Sequence, residues 1–405
     1  MIEKKSGGVC APKGFTASGI CAGIKAGTDK PDVALIKSDV ICEAAAVYTT
    51  NKVKGAPLAV TKEHLKDGKA VALICNSGNA NTCVPGGIDV AVDTADILAK
   101  ELEVNSSDIL VASTGVIGEP LSIEPFERGV PELVKELSYT GSAEAAHAIM
   151  TTDTVLKEFA VSFEIDGVKC NIGGIAKGSG MIYPNMATML AFITTDVDIS
   201  HDMLSKAIGE DVKDSFNQIS VDGDTSTNDM VLIMANGLAK NPGITKEGEE
   251  FEIFKEALSK VTGNLSKAMA ADGEGAEKLI ICHVKGASSK ELARRISKSV
   301  ISSNLLKAAI FGEDANWGRV LCAVGYTEGD FDVDKIDVTM ASEKGRVTVC
   351  KNSATASYDE ADASKVLKAK EITIEINMNE GDFKAKAYGC DLTYKYVEIN
   401  GDYRS

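Results

Sequence analysis

Apolar residues recur along the 405-residue chain with two periods, and the switches between them mark its elements. In the first 80 residues ALIKSD, AAAVYTT and AVALICNSG are short apolar runs that predict strands. Ile88, Ala91, Ala95, Leu98 and Leu102 fall at helical spacing and predict a helix over 87–104. Phe126, Val130, Leu133, Val134 and Leu137 predict a second helix. Between them, ILVASTGVIGEP reads as a strand that breaks into a turn at Thr114-Gly115. Phe159, Val161, Phe163 and Ile165 alternate, Asp166-Gly167 turns the chain, and Val168, Cys170 and Ile172 alternate back, which predicts a hairpin. A Gly-rich loop then runs from Gly173-Gly174 through Lys177-Gly178-Ser179-Gly180. The turn signal Pro184-Asn185 precedes a strand from about 189 to 195.

Further on, the pattern predicts a helix over 200–219 capped by Ser200, a strand at MVLIMANG, and a helix carrying Phe254, Leu258, Val261, Leu265 and Met269. KLIICHVKGA predicts another strand, and a helix follows near 288–301. EITIEINM and DFKAKAY alternate on either side of Asn379-Glu380-Gly381-Asp382 and predict a second hairpin. Frequent hairpins among interleaved strands and helices favour an α+β fold, with mixed α/β sheets and helices layered outside, over a purely parallel sheet.

Composition narrows the function. The chain is 44% apolar and 25% charged, as globular domains are, and its length allows two or three folding units. Its net charge is −16, split as −6 over 1–187 and −10 over 188–405. Neither half carries the basic footprint that nucleic acid or an anionic membrane needs. No apolar run reaches 18 residues, and MIEKKSGGVCAPKGF lacks the apolar stretch of a signal peptide, so a cytoplasmic protein is expected. None of the ten cysteines forms a CxxC pair, and most sit in apolar runs, as buried thiols in a reducing compartment do. The four histidines, His64, His147, His201 and His283, lack metal spacing, so no metal site is expected and a catalytic base must come from elsewhere.

One segment offers such a base. KGSGMIYPNMATMLAFITTD joins a Gly-rich loop, a Pro-containing turn and a threonine at the head of an apolar strand. A cut between Ala187 and Thr188 would give Thr188 a free α-amine beside its own hydroxyl. Such an amine has a pKa of roughly 7.7–8.0 and can serve as a base near neutral pH. A threonine in this place, taken alone, is more often a β-branched residue starting a strand.

The motifs GFTASGICAGIK, AAAVYTTNKVKGAPL, NSGNAN, STGVIGEPL, TTDT, KGSGMIYPNMATMLAFITTD, SVDGDTSTND, DGEGAEK and FGEDANWGR resemble, in order and nearly end to end, those of the ornithine acetyltransferase family. This family is also called glutamate N-acetyltransferase. The resemblance implies an N-terminal-nucleophile-type acyltransferase fold with a smaller β-rich C-terminal domain. It implies self-cleavage between Ala187 and Thr188 into an α chain (1–187) and a β chain (188–405). Residues 188–285 would complete the main fold, and about 286–405 would form a C-terminal α/β domain. Thr188 would be the nucleophile and its α-amine the base; Thr114 and Gly115 would form the oxyanion hole. Thr151, Lys177, Thr188, Glu274, Asn400 and Ser405 would bind substrate.

The implied reaction moves acetyl from N2-acetylornithine to glutamate through an acetyl-threonine ester, in arginine biosynthesis, without a cofactor. Acetyl-CoA as a second donor stays open, and the implied assembly is α2β2. The related N-terminal-nucleophile aminopeptidases, which hydrolyse the acyl-enzyme, are the alternative reading. Glu277 and Ser405 depart from the family pattern, which has Thr at both places. FGEDANWGR lacks the Lys-Ser/Thr of a phosphate loop and reads as structural or substrate-proximal, and DGDTSTND lacks the closing Glu of a calcium loop.

Overall fold

The computed structural model describes residues 1–183 and 189–402. Among these, the strands form two mixed sheets. The first takes β1 (Glu3–Lys5), β2 (Phe15–Ile20), β3 (Val33–Tyr48), β4 (Lys69–Asn79), β5 (Ile109–Val116), β6 (Lys157–Ile165), β7 (Val168–Lys177) and β8 (Leu190–Thr195). After a two-residue strand of the other sheet, β9 (Ile219–Ser220), the first sheet also takes β10 (Met230–Ala235). The second sheet adds β11 (Leu279–Ala287), β12 (Asp337–Ser342), β13 (Gly345–Lys351), β14 (Ala354–Thr355), β15 (Glu371–Asn377) and β16 (Phe383–Cys390). The first sheet runs β1-β6-β7-β8-β10-β3-β4-β5, with β2 also on β3; the second runs β14-β13-β12-β15-β11-β16-β9.

The middle of the first sheet is β8 paired in parallel with β10. Both are buried on both faces. Ala191, Ile193, Val231 and Ile233 point into one core, while Leu190, Phe192, Met230 and Leu232 point into another. That explains their continuous apolar runs. Helix Glu249–Ala271 packs on β6 and β7 and also on β16, so it fills the space between the sheets. Helix Ser142–Ile149 covers the opposite face of the first sheet, and helices Gly87–Leu102 and Glu124–Lys135 cover its β4–β5 end. The second sheet builds its own core against helices Lys290–Ser302, Asn304–Phe311 and Trp317–Gly325. Among the described residues, no helix is long and apolar enough to cross a membrane.

The predicted hairpin is β6–β7, with Asp166 at φ 48° and Gly167 at φ 75°, as a type I′ turn requires. Ser200 caps helix His201–Asp211 by accepting from Met203 N. Other expectations are corrected. ALIKSD and AAAVYTT are one 16-residue strand, β3, whose pairing with β4 shifts register between Lys37 and Cys42. The helix expected over 200–219 ends at Asp211. Val212 and Phe216 are both buried, so the helical spacing persists into a segment that is no longer helix.

Gly173 and Gly174 are not loop residues but lie within β7, which continues to Lys177. A side chain at Gly173 would run into the carbonyl oxygen of Gly8, so glycine there permits close packing rather than a turn. The second expected hairpin does not form: β15 and β16 each pair with β11, which lies between them. The run LIICHV of β11 is the reason, since Ile280, Cys282 and Val284 need a central position to be fully buried.

Candidate active site

Strand ends from the first sheet converge on one cavity of about 390 Å³. It is lined by Thr114 and Gly115 at the end of β5, Lys177 at the end of β7, and Thr151 from the loop before β6. Glu274 joins from the loop after helix Glu249–Ala271, and Asn400 from helix Tyr394–Asp402. These six residues are far apart in sequence, and the fold gathers them. Ala187, Thr188 and Ser405 lie outside the described residues.

The Thr114-Gly115 turn depends on glycine. Gly115 has φ +136° and pairs with Gly78 in the parallel β4–β5 ladder. A Cβ there would collide with the backbone of Gly78 and Asn79. The turn is held from behind by side chains. Ser113 Oγ donates to Asn76 Oδ1 at 2.6 Å, and Asn76 Nδ2 donates to Asn79 O at 2.9 Å. Buried Asn228 fills its hydrogen-bonding capacity here. Its Nδ2 donates to Ala80 O at 2.6 Å and Ser113 O at 2.9 Å, while its Oδ1 accepts from the Thr82 and Thr227 hydroxyls at 2.6 Å each.

Lys177 is nearly buried at 8% exposure and donates from Nζ to Thr114 Oγ1 at 3.4 Å. The Thr114 oxygen is thereby engaged as an acceptor, which leaves its proton to be donated elsewhere. Asp153 supports the far side of Lys177. Burial pushes the Asp153 carboxyl up, but the Lys177 and Lys157 ammoniums outweigh burial and hold it at about 2. At the other end of the cavity, Asn400 Nδ2 donates to Glu274 Oε2 at 2.8 Å. Gly180 faces the Glu274 carboxylate so closely that a Cβ would overlap it.

Both flanks of residues 184–188 are fixed. On one side, Asp222 accepts from Met181 N at 2.6 Å and Ile182 N at 2.8 Å, and Thr225 Oγ1 donates to Tyr183 O at 2.9 Å. On the other, Asp229 Oδ1 accepts from Met189 N at 2.8 Å, while Met230 N donates to Met189 O at 3.0 Å. Asp229 is 1% exposed, and burial pushes its carboxyl well above the usual range. Tyr396 Oη reaches Asp222 Oδ2 at 3.3 Å and closes the cavity wall.

Asn51, Asp222, Asp224 and residues 225–228 line the cavity without having been singled out as site residues. For all but Asn51, the signal was the dense run of hydroxyls and carboxylates in SVDGDTSTND, just before an apolar strand. FGEDANWGR takes a structural place: Asn316 caps helix Trp317–Gly325, and Trp317 packs on the core of the second sheet.

A strand-end cavity with backbone and hydroxyl donors and, among the described residues, one lysine and no histidine suits acyl transfer through a hydroxyl rather than His-based chemistry. Comparison with known proteins gives the family. The model of the ArgJ family matches residues 16–405. The arginine biosynthesis bifunctional protein ArgJ of Caldanaerobacter subterraneus subsp. tengcongensis is 49% identical over 405 residues, the full length of both chains. ArgJ 1 of Clostridium acetobutylicum is 49% identical over 392 residues, 96% of each. A crystal structure of the arginine biosynthesis bifunctional protein argJ from Bacillus halodurans is 42% identical, with a TM-score of 0.51, over 53% of this chain and all of that one. The chain belongs to the ArgJ family, and it is an acyltransferase of arginine biosynthesis.

Proposed function

We propose that this chain cuts itself between Ala187 and Thr188, and that Thr188 then carries acetyl from N2-acetylornithine to glutamate. In the cut, the Thr188 hydroxyl adds to the Ala187 carbonyl carbon. The C–N bond breaks, the amine of Thr188 is freed, and water hydrolyses the resulting ester. In turnover, the hydroxyl attacks the acetyl carbonyl while the α-amine takes its proton. The Thr114 hydroxyl and Gly115 N–H hold the oxyanion. The proton passes to the departing amine of ornithine, and the α-amine of glutamate then takes acetyl from the threonine ester.

Lys177 and Thr151 hold the substrate α-carboxylate end, and Glu274, supported by Asn400, holds the side-chain ammonium of ornithine. Ser405 completes this end. The reaction needs no bound cofactor; acetyl-CoA would enter, if at all, as a second acetyl donor. The two pieces assemble as two α and two β chains in the cytoplasm.

The observation that carries this reading is that Met181, Asp222 and Thr225, which anchor the chain just before the bond, line the same cavity as Thr114, Gly115, Lys177 and Glu274, while Met189 beyond it is held by Asp229. The solved Bacillus halodurans chain adds support, since it is matched in full by 53% of this one, close to the share made up by residues 188–405. A denaturing gel tests the cut. Two bands are expected from the wild type and one from Thr188→Ala. An active preparation that runs as one intact chain would sink the mechanism. Acetylornithine consumption that depends on glutamate separates transfer from hydrolysis.

A further inference from the structure

Behind the cavity lies a buried charge cluster that touches no substrate in the mechanism above. Lys157, in β6, has a side chain with 0% exposure. Its three ammonium protons have three acceptors: Asp153 Oδ1 at 2.7 Å, Asp272 Oδ2 at 2.5 Å and Val155 O at 3.2 Å. The two carboxylates are buried as well, at 0% and 6% side-chain exposure.

Each carboxylate then holds a different wall of the cavity. Asp153 accepts from Thr151 N at 3.0 Å and from Gly178 N at 2.7 Å, so it binds the Thr151 loop to the turn that follows Lys177. Asp272 accepts from Thr154 N at 3.0 Å, Val155 N at 3.2 Å and the Thr154 hydroxyl, and it begins the loop that carries Glu274. Glu274 N donates to Ser179 O at 2.8 Å, which closes the circuit. The charged groups facing Asp153 are Lys157 from β6 and Lys177 from the end of β7; Asp272 faces it across Lys157. Two ammoniums and two carboxylates balance only while Lys157 is present.

We propose that Lys157 is a positioning residue for acetyl transfer: it fixes the distance between the carboxylate-binding end at Thr151 and Lys177 and the ammonium-binding end at Glu274. This rests on the transfer reading given above. Without the Lys157 ammonium, two buried carboxylates face one another, and Asp153 competes with the substrate carboxylate for Lys177. Binding of both substrates weakens, while the backbone of the oxyanion turn, held by Asn228 and Asn76, keeps its place.

The test uses the self-cut enzyme and three variants: Lys157→Met, Lys157→Met with Asp272→Asn, and Thr154→Val. Lys157→Met is expected to raise KM for acetylornithine and for glutamate about tenfold or more, with kcat changed far less. Its KM for acetylornithine should fall back toward the wild-type value as pH drops and the carboxylate pair takes up a proton, a recovery not expected where Lys157 sits between the two carboxylates. Removing one carboxylate in the double variant should recover much of the loss. Thr154→Val, at an exposed position, removes one tie without stranding a buried charge and should raise both KM values a few-fold.

Wild-type KM values in a folded Lys157→Met enzyme would overturn the proposal. If that variant does not fold, unchanged KM values in Thr154→Val would overturn it. A wild-type enzyme that transfers no acetyl would instead refute the transfer reading itself, so the two failures are distinguishable.

Discussion

Gly180→Ala is the sharpest small perturbation available in this site. A Cβ at Gly180 would meet Cδ, Oε1 and Oε2 of Glu274, and no other atom is closer. Gly180 does not need a positive φ, so alanine fits its backbone. The clash is with the far end of a flexible side chain, which can swing away. The main chain therefore stays, and the Glu274 carboxylate leaves its place beside Asn400.

On the proposed role of Glu274, this loses one hydrogen bond between charged groups, worth roughly 1.5–3 kcal/mol. That is about a 10- to 150-fold weaker hold on the ornithine ammonium. Glycine-to-alanine replacement itself stabilises a compatible site by roughly 0.4–1 kcal/mol through the unfolded chain, so no loss of stability is expected. The assay is steady-state acetyl transfer with acetylornithine varied, alongside a thermal melt and a gel for the cut. KM should rise with the melt and the two bands unchanged. Combined with Glu274→Ala, Gly180→Ala should add nothing, because both remove the same contact. A wild-type KM, or full additivity in the double variant, would refute the reasoning.

Two further outcomes follow from the geometry. Gly115→Ala drives a Cβ into the Gly78–Asn79 backbone at φ +136° and should cut kcat/KM about 10²–10³-fold, with roughly 1–3 kcal/mol of strain; retention of most of the activity would disprove the oxyanion assignment. Asp211, at the C-terminal end of helix His201–Asp211, is pushed up by burial to about 6. The folded chain thus holds this proton at higher pH than the unfolded one, and stability falls as pH rises from about 4 to about 6. Asp211→Asn should gain about 3 kcal/mol at pH 8 and little near pH 4, measured by urea unfolding of uncut Thr188→Ala protein; equal midpoints at pH 8 would contradict this.

Local signals in the sequence were read well where the cause was local. Asp166-Gly167 specifies its turn by backbone chemistry alone, and the face of Phe254, Leu258 and Val261 specifies its helix. The readings that failed needed a partner from elsewhere. Gly173 looked like a loop residue because its reason, the Gly8 carbonyl, lies far away in the chain. β15 and β16 alternate like a hairpin, but alternation does not reveal that β11 inserts between them.

The site shows the same division. Thr114, Gly115, Thr151, Lys177, Glu274 and Asn400 were named through motif resemblance, and the fold brings them to one cavity; isolated residues of these types would have been ordinary. Asp222, Asn228 and Asp229 were missed because their carboxylates and amides act on backbone groups, and only the fold shows which backbone groups are near.

The place of β8 and β10 in the first sheet governs the history of the molecule. Every other strand of that sheet precedes residue 188, yet these two separate β1, β6 and β7 from β2, β3, β4 and β5. Residues 1–187 alone would hold two half-sheets with no backbone ladder joining one to the other. Folding must therefore finish before the proposed cut, and the cut then makes it irreversible in practice. An uncut chain that unfolds can find its own missing strands. A cut one must meet a second polypeptide, so its recovery becomes second order and fades with dilution. Each molecule would thus have one efficient opportunity to assemble, at its synthesis, and would afterwards depend on slow unfolding to stay active.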